Sequence, residues 1–275
     1  MSRYKFGITQ WGMPGDGHYP VRIAKEAGLD GVQVDVGFYE NGYPLAQQYV
    51  RDMYMEDAAK YGIAFPSLAL NDLGIHEFVN GRDTEHGKIA YETMQLGIET
   101  AAAMKIDTVM VPNFFANFIT EERHFDHAVE ALVFACDTAA KYGVTIASET
   151  ILSPEEQFRL LDAVNRPNIA VFFDSMNYKF FSKFDPLEVL KKLYPRMVPQ
   201  LHIKDGVDVL SGGMLGEGNM DFFKQAEFLA ASDFDGWIIL ENYHSHLPIR
   251  GNSRANQLEL LKKDLQTAKR ALRAS

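Results

Sequence analysis

The chain has 275 residues, 47% of them hydrophobic, and carries 27 Lys and Arg against 37 Asp and Glu, for a formal charge of −10. This balance excludes nucleic acid or an anionic membrane as the main partner, since both require a basic face, but it leaves room for a small ligand, phosphorylated or not. The single cysteine, Cys136, excludes an internal disulfide and lies in the apolar run LVFACDTAA as a packing residue.

In chain order, the N-terminal MSRYKFGITQ enters a strand directly, without a signal-peptide core. No later stretch reaches the ~18 uninterrupted apolar residues of a membrane span, so the expected compartment is the cytoplasm. From there one pattern recurs. RIAKEAGLDGVQVDV (22–36), MEDAAKYGIAFPSLAL (55–70), TAAAMKIDTVMVP (100–112), TAAKYGVTIASE (138–149) and LAASDFDGWIILE (229–241) each read as a helix end, a turn and a buried strand. Strands are predicted over 4–9, 31–35, 64–70, 107–112, 144–149, 169–174, 198–203 and 237–241. Helices are predicted over 17–28, 44–62, 84–105, 121–142, 154–164, 185–194, 220–232 and 253–273. Eight βα units averaging about 34 residues predict a (β/α)8 TIM barrel, with 1–275 forming a single domain. A doubly wound sheet would call for a G-x-G-x-x-G turn after the first strand, and GITQWGMPGDG lacks that spacing.

In such a barrel, chemistry gathers where the strands end. Strand five ends at Glu149, six at Asp174, seven at His202 and eight at Glu241, each about one βα unit from the next. Three carboxylates crowded at one rim would repel one another with nothing between them, and a divalent cation resolves this. Oxygen-dominated ligation with one imidazole predicts one Mn²⁺ per chain, with Mg²⁺, Co²⁺ and Zn²⁺ as alternatives.

The segments SET (148–150), FFDSMN (172–177), HIKD (202–205), LGEGNMDF (215–222) and DGWIILEN (235–242) together resemble the sugar phosphate isomerase/epimerase superfamily of xylose-isomerase-like barrels. The likeness is closest to ketose 3-epimerases, including the L-ribulose-5-phosphate 3-epimerases, and covers nearly the whole chain. It implies a metal held by Glu149, Asp174, His202 and Glu241, with Glu149 and Glu241 doubling as catalytic acid and base. Where many free-ketose epimerases carry histidine three residues after the metal aspartate, this chain has Asn177, as in the pentulose-phosphate branch.

The expected reaction is epimerisation or isomerisation of a ketose or ketose phosphate, by removal of a proton next to a carbonyl through a metal-stabilised enediolate. The same site would suit elimination on a keto-sugar or keto-inositol, as in dehydratases and 3-keto-glycoside lyases, and a non-catalytic sugar-binding subunit is a third reading. The partner is a small sugar or sugar phosphate, and a homo-oligomer stays open. Among other rim residues, Glu217, Lys204 and Asp205 are candidate substrate contacts, with Glu217 otherwise expected to orient His202 or its loop, and Lys204 and Asp205 to brace the site or pair locally. Asn177, Trp11 and His76 are candidate substrate contacts, as are His244 and His246, while Phe114, Phe115 and Tyr178 are candidate pocket walls. A phosphate would find Arg250, Asn252 and Ser253 just before the last helix.

Overall fold

The alternation of β-branched runs with alanine-rich amphipathic segments produces eight strands: β1 (Tyr4–Thr9), β2 (Gly31–Asp35), β3 (Leu68–Ala69), β4 (Thr108–Asn113), β5 (Thr145–Thr150), β6 (Ile169–Asp174), β7 (Met197–Ile203) and β8 (Gly236–Leu240). The computed structural model describes residues 3–15, 17–252 and 256–274. The strands are parallel wherever a register is defined and follow one another in chain order to close a barrel, the (β/α)8 architecture predicted above.

The helices are α1 (Tyr19–Ala27), α2 (Gln48–Tyr61), α3 (Glu85–Ala103), α4 (Glu122–Ala140), α5 (Pro154–Val164), α6 (Asn177–Ser182), α7 (Pro186–Leu193), α8 (Phe222–Ala231) and α9 (Gln257–Ala271). Their ends follow local chemistry. Ser153 and Glu156 form a capping box with Pro154 in the first turn of α5, and Asn256 and Glu259 form another on α9. Gly28 ends α1 at φ +84°, a conformation open to glycine at little cost.

Two departures from the sequence expectation have plain causes. The third strand is only Leu68–Ala69, with an isolated parallel bridge from Gly31 to Ala64 ahead of it. Pro66 lies between them and has no N–H to give a ladder. The short α6 follows β6 directly and was not anticipated, because Asp174 itself supplies the acceptor that starts it, as described below.

The chain packs as two compact units, one of Met1–Gln33, Glu56–Pro66 and Phe173–Ser275, the other of Val34–Met55 and Ser67–Phe172. In the first, Gly7, Ile239 and His202 align across β1, β8 and β7, while Ile8, Leu240 and Ile203 align one residue on and point the opposite way. Gly31 is needed where it stands: a Cβ there would lie 2.6 Å from the Trp237 ring and 2.8 Å from the Ala64 carbonyl oxygen. In the second unit, β4 and β5 pair along six residues, from Thr108 opposite Thr145 to Asn113 opposite Thr150. Their apolar side chains Val109, Met110, Val111, Ile146 and Ala147 are buried.

Candidate active site

The end of β6 sets the first side chain. Asp174 Oδ1 accepts the backbone N–H groups of Met176 and Asn177, both at 2.7 Å, and this opens α6. That fixes the rotamer and turns Oδ2 the other way. Oδ2 is buried and pairs with Lys204 Nζ at 2.9 Å.

From β7 comes His202, 1% exposed. Its Nε2 lies 2.6 Å from Gln33 Oε1, in the middle of β2. With a carbonyl oxygen as partner, Nε2 carries the proton and Nδ1 presents its lone pair. Nδ1 faces Asp174 Oδ2 at 3.5 Å and Glu241 Oε2 at 3.2 Å. A lone pair aimed at two carboxylate oxygens is repulsive unless a proton or a metal ion lies between them, so the donor set fits a divalent cation.

Glu241 follows β8. Its Oε1 accepts from Trp11 Nε1 at 2.9 Å, and its Oε2 meets Lys204 Nζ at 2.6 Å. Burial raises its pKa, but the neighbouring positive charge, the Lys204 ammonium foremost, holds the carboxyl below the usual range. Nearby, burial pushes the Tyr243 hydroxyl up to about 12, with the Glu241 charge adding to the effect. Glu149, near the end of β5, is 2% exposed. Among the described residues, Glu149, Asp174 and His202 offer two carboxylates and one imidazole, all buried, a set of donors that could hold a metal ion. Glu241 falls outside that trio but shares His202 and Lys204 with it.

The remaining sequence candidates separate. Asn177 is buried and gives its N–H to Asp174. Asp205 organises the loop after β7: its carboxylate accepts from the N–H groups of Gly206 (2.9 Å), Gly216 (2.8 Å) and Met220 (3.3 Å). Its own N–H donates to Asn242 Oδ1 at 2.9 Å. Glu217, expected to orient His202 or its loop, pairs with Lys263 of α9 at 2.9 Å and so ties the loop to that helix; both side chains are 59% exposed, and the salt bridge lies at the surface. In the second unit, buried His76 lies 3.1 Å from Asp72 Oδ2 and 3.5 Å from Glu40 Oε1. Tyr178 stacks on Phe173 and is fully buried, whereas Phe115 is largely exposed and packs its edge on Phe114. His246 is exposed and contacts Ser245 and the Tyr243 ring. Arg250 and His244 share a cavity of about 340 Å³ with the start of α9. Asn252 ends the short turn that Arg250 begins, and Ser253 lies outside the described residues.

Two buried polar residues bonded to the candidate site or to the loops beside it are not signalled as such by the sequence. Gln33 is a polar residue inside the apolar run GVQVD, and that interruption was the available signal. Asp264, on α9, accepts from Leu215 N–H (2.9 Å), Asn242 Nδ2 (2.7 Å) and His244 Nε2 (2.8 Å). It thereby braces the residue next to Glu241, and nothing in its helical sequence context signals this.

Comparison with known proteins agrees with this fold. The model of the xylose isomerase-like TIM barrel family matches residues 21–270. The 2-epi-5-epi-valiolone 7-phosphate 2-epimerase of Actinoplanes sp. is 27% identical over 218 residues, covering 78% of this chain and 77% of the relative. Among solved structures, D-allulose 3-epimerase from Methylomonas sp. in complex with D-allulose superposes with a TM-score of 0.75 at 18% identity, covering 98% of both chains. The IOLI protein with a bound zinc atom superposes with a TM-score of 0.74 at 19% identity, again covering 98% of both chains.

Proposed function

Because the chain belongs to the xylose isomerase-like TIM barrel family, we propose that it is a metal-dependent epimerase or isomerase of a ketose or ketose phosphate. It would move a proton at a carbon next to a carbonyl. The observation that carries this reading is His202 Nδ1 facing two buried carboxylate oxygens, with Glu149 as a further buried donor of the set. The epimerases among the relatives support the reaction class, and the phosphate-bearing valiolone of the Actinoplanes enzyme supports a phosphorylated substrate.

In this reading Glu149, Asp174, His202 and Glu241 hold one divalent cation, Mn²⁺ first among the alternatives. A cation bound there supplies positive charge beside the substrate carbonyl and lowers the cost of removing the neighbouring proton. Gln33 keeps the His202 lone pair on the ligand side. Trp11 fixes one oxygen of Glu241, so the other can be aimed. Glu149 and Glu241 exchange the proton with substrate: one takes it, the other returns one from the opposite side, and the centre inverts.

Turnover of candidate ketoses in D₂O tests this. The expected product has unchanged mass in H₂O and one solvent deuterium on the inverted carbon in D₂O. Glu149→Gln and Glu241→Gln should each lose ~10²–10⁴-fold in turnover, the usual worth of a positioned acid or base. Deuterium-free product would sink the two-glutamate scheme in favour of a hydride shift, and loss of water would identify elimination.

A further inference from the structure

The two oxygens that His202 Nδ1 faces are already in contact with a cation. Lys204 Nζ lies 2.9 Å from Asp174 Oδ2 and 2.6 Å from Glu241 Oε2, the same atoms that stand 3.5 and 3.2 Å from Nδ1. The lysine is 2% exposed, so this ammonium sits within the site and is not a surface partner. A divalent ion ligated by those oxygens at about 2.0–2.6 Å would lie only a few ångströms from Nζ, where two cations repel strongly in a buried setting. The backbone of Lys204 cannot give way, because its N–H donates to Ser175 Oγ at 2.8 Å and its carbonyl accepts from the same hydroxyl at 2.9 Å. What can move is the side chain, four methylenes long.

Resting on the metal site proposed above, we infer that Lys204 is the resident counter-cation of the metal-free site and exchanges with the divalent ion for Asp174 and Glu241. In the metal-free protein the ammonium neutralises carboxylates that would otherwise repel one another inside the fold. On loading its side chain leaves those oxygens to the ion. The exchange lowers metal affinity and lets the empty chain stay folded, which makes occupancy responsive to metal supply.

The test is calorimetric titration of Mn²⁺ into chelator-treated wild type, Lys204→Met and Lys204→Arg, with thermal melts in chelator and in excess Mn²⁺. Lys204→Met should bind Mn²⁺ tighter by ~10-fold or more, the direction expected when a like charge is removed from the site. Its metal-free form should melt below wild type, and the gap should close on loading. Lys204→Arg, which keeps the charge, should not show the gain in affinity. Should Lys204→Met fail to fold in chelator, Lys204→Gln isolated with Mn²⁺ bound and titrated with a competing chelator gives the same comparison. Unchanged or weaker binding in the neutral variant overturns the exchange while leaving the metal site standing. No Mn²⁺ binding by wild type overturns both.

Discussion

Trp11 Nε1 donates a 2.9 Å hydrogen bond to Glu241 Oε1, joining the turn after β1 to the residue after β8. The same indole packs edge-on against His202, ring centroids 6.1 Å apart. Trp11→Phe keeps an aromatic ring and removes the donor. A hydrogen bond to a charged group is worth ~1.5–3 kcal/mol, so turnover should fall by roughly 10- to 100-fold. Metal content should stay near that of wild type, since the ligand oxygens are untouched. Loss of the metal together with turnover would show that the indole supports ligation and not the aim of the carboxylate.

Gln33→Met tests the partner of His202. The substitution conserves length and volume but leaves Nε2 without its acceptor. Mn²⁺ affinity should drop ~10- to 100-fold, as for other outer partners of ligating histidines. Titration giving wild-type affinity would mean that the ring is held by packing alone.

Asp264 is 1% exposed and receives three donors. Asp264→Ala strands all three in the interior and should destabilise the chain by ~3–5 kcal/mol in chemical denaturation. Asp264→Asn, which keeps an acceptor oxygen, should cost less. A loss below ~1 kcal/mol for the alanine variant would show that water replaces the carboxylate.

Asp35, closing β2, gives a dependence on pH. Burial raises its pKa to about 6 against an ordinary 3.8, despite donors from Gly37 and Asn71. A folded-state pKa above the unfolded one means the folded chain binds the extra proton. Its contribution to stability is therefore complete below the unfolded value and is lost as pH rises through about 6. The change is ~2–3 kcal/mol for a shift of this size. Asp35→Asn cannot titrate, so the difference between wild type and variant should vary by that amount between about pH 4 and 7. A difference constant across that interval would show that Asp35 titrates normally.

Much of this was legible in the sequence because a parallel barrel strand announces itself twice, by its continuous apolar run and by the polar residue that ends it. Glu149, Asp174, His202 and Glu241 stand out that way at the strand ends, and all four side chains are buried. Strand three was read too long because apolar content does not register the missing N–H of Pro66. For Lys204 the sequence leaves two readings open, bracing the site or pairing locally, and its contacts with Asp174 and Glu241, 30 and 37 residues away, fit the first. Glu217 is conspicuous by its motif position, and of its two expected partners, His202 and its own loop, the Lys263 ion pair fits the loop. Asp264 was invisible because a buried acid on an amphipathic helix differs from a solvated one only in what surrounds it.

The loop after β7 is wound on a single carboxylate, with Gly206, Gly216 and Met220 all donating to Asp205. Its inner turn is closed to side chains as well, because a Cβ on Gly218 would lie 2.1 Å from Asp205 Oδ1. A spool of this kind fixes the length of chain that fits around it. An inserted or deleted residue would pull an amide off the carboxylate, and the loop cannot lengthen or shorten to suit a new ligand. Evolution can rewrite only the outward side chains here, such as the exposed Val207 and Val209, so larger changes in what the barrel accepts must come through its other loops.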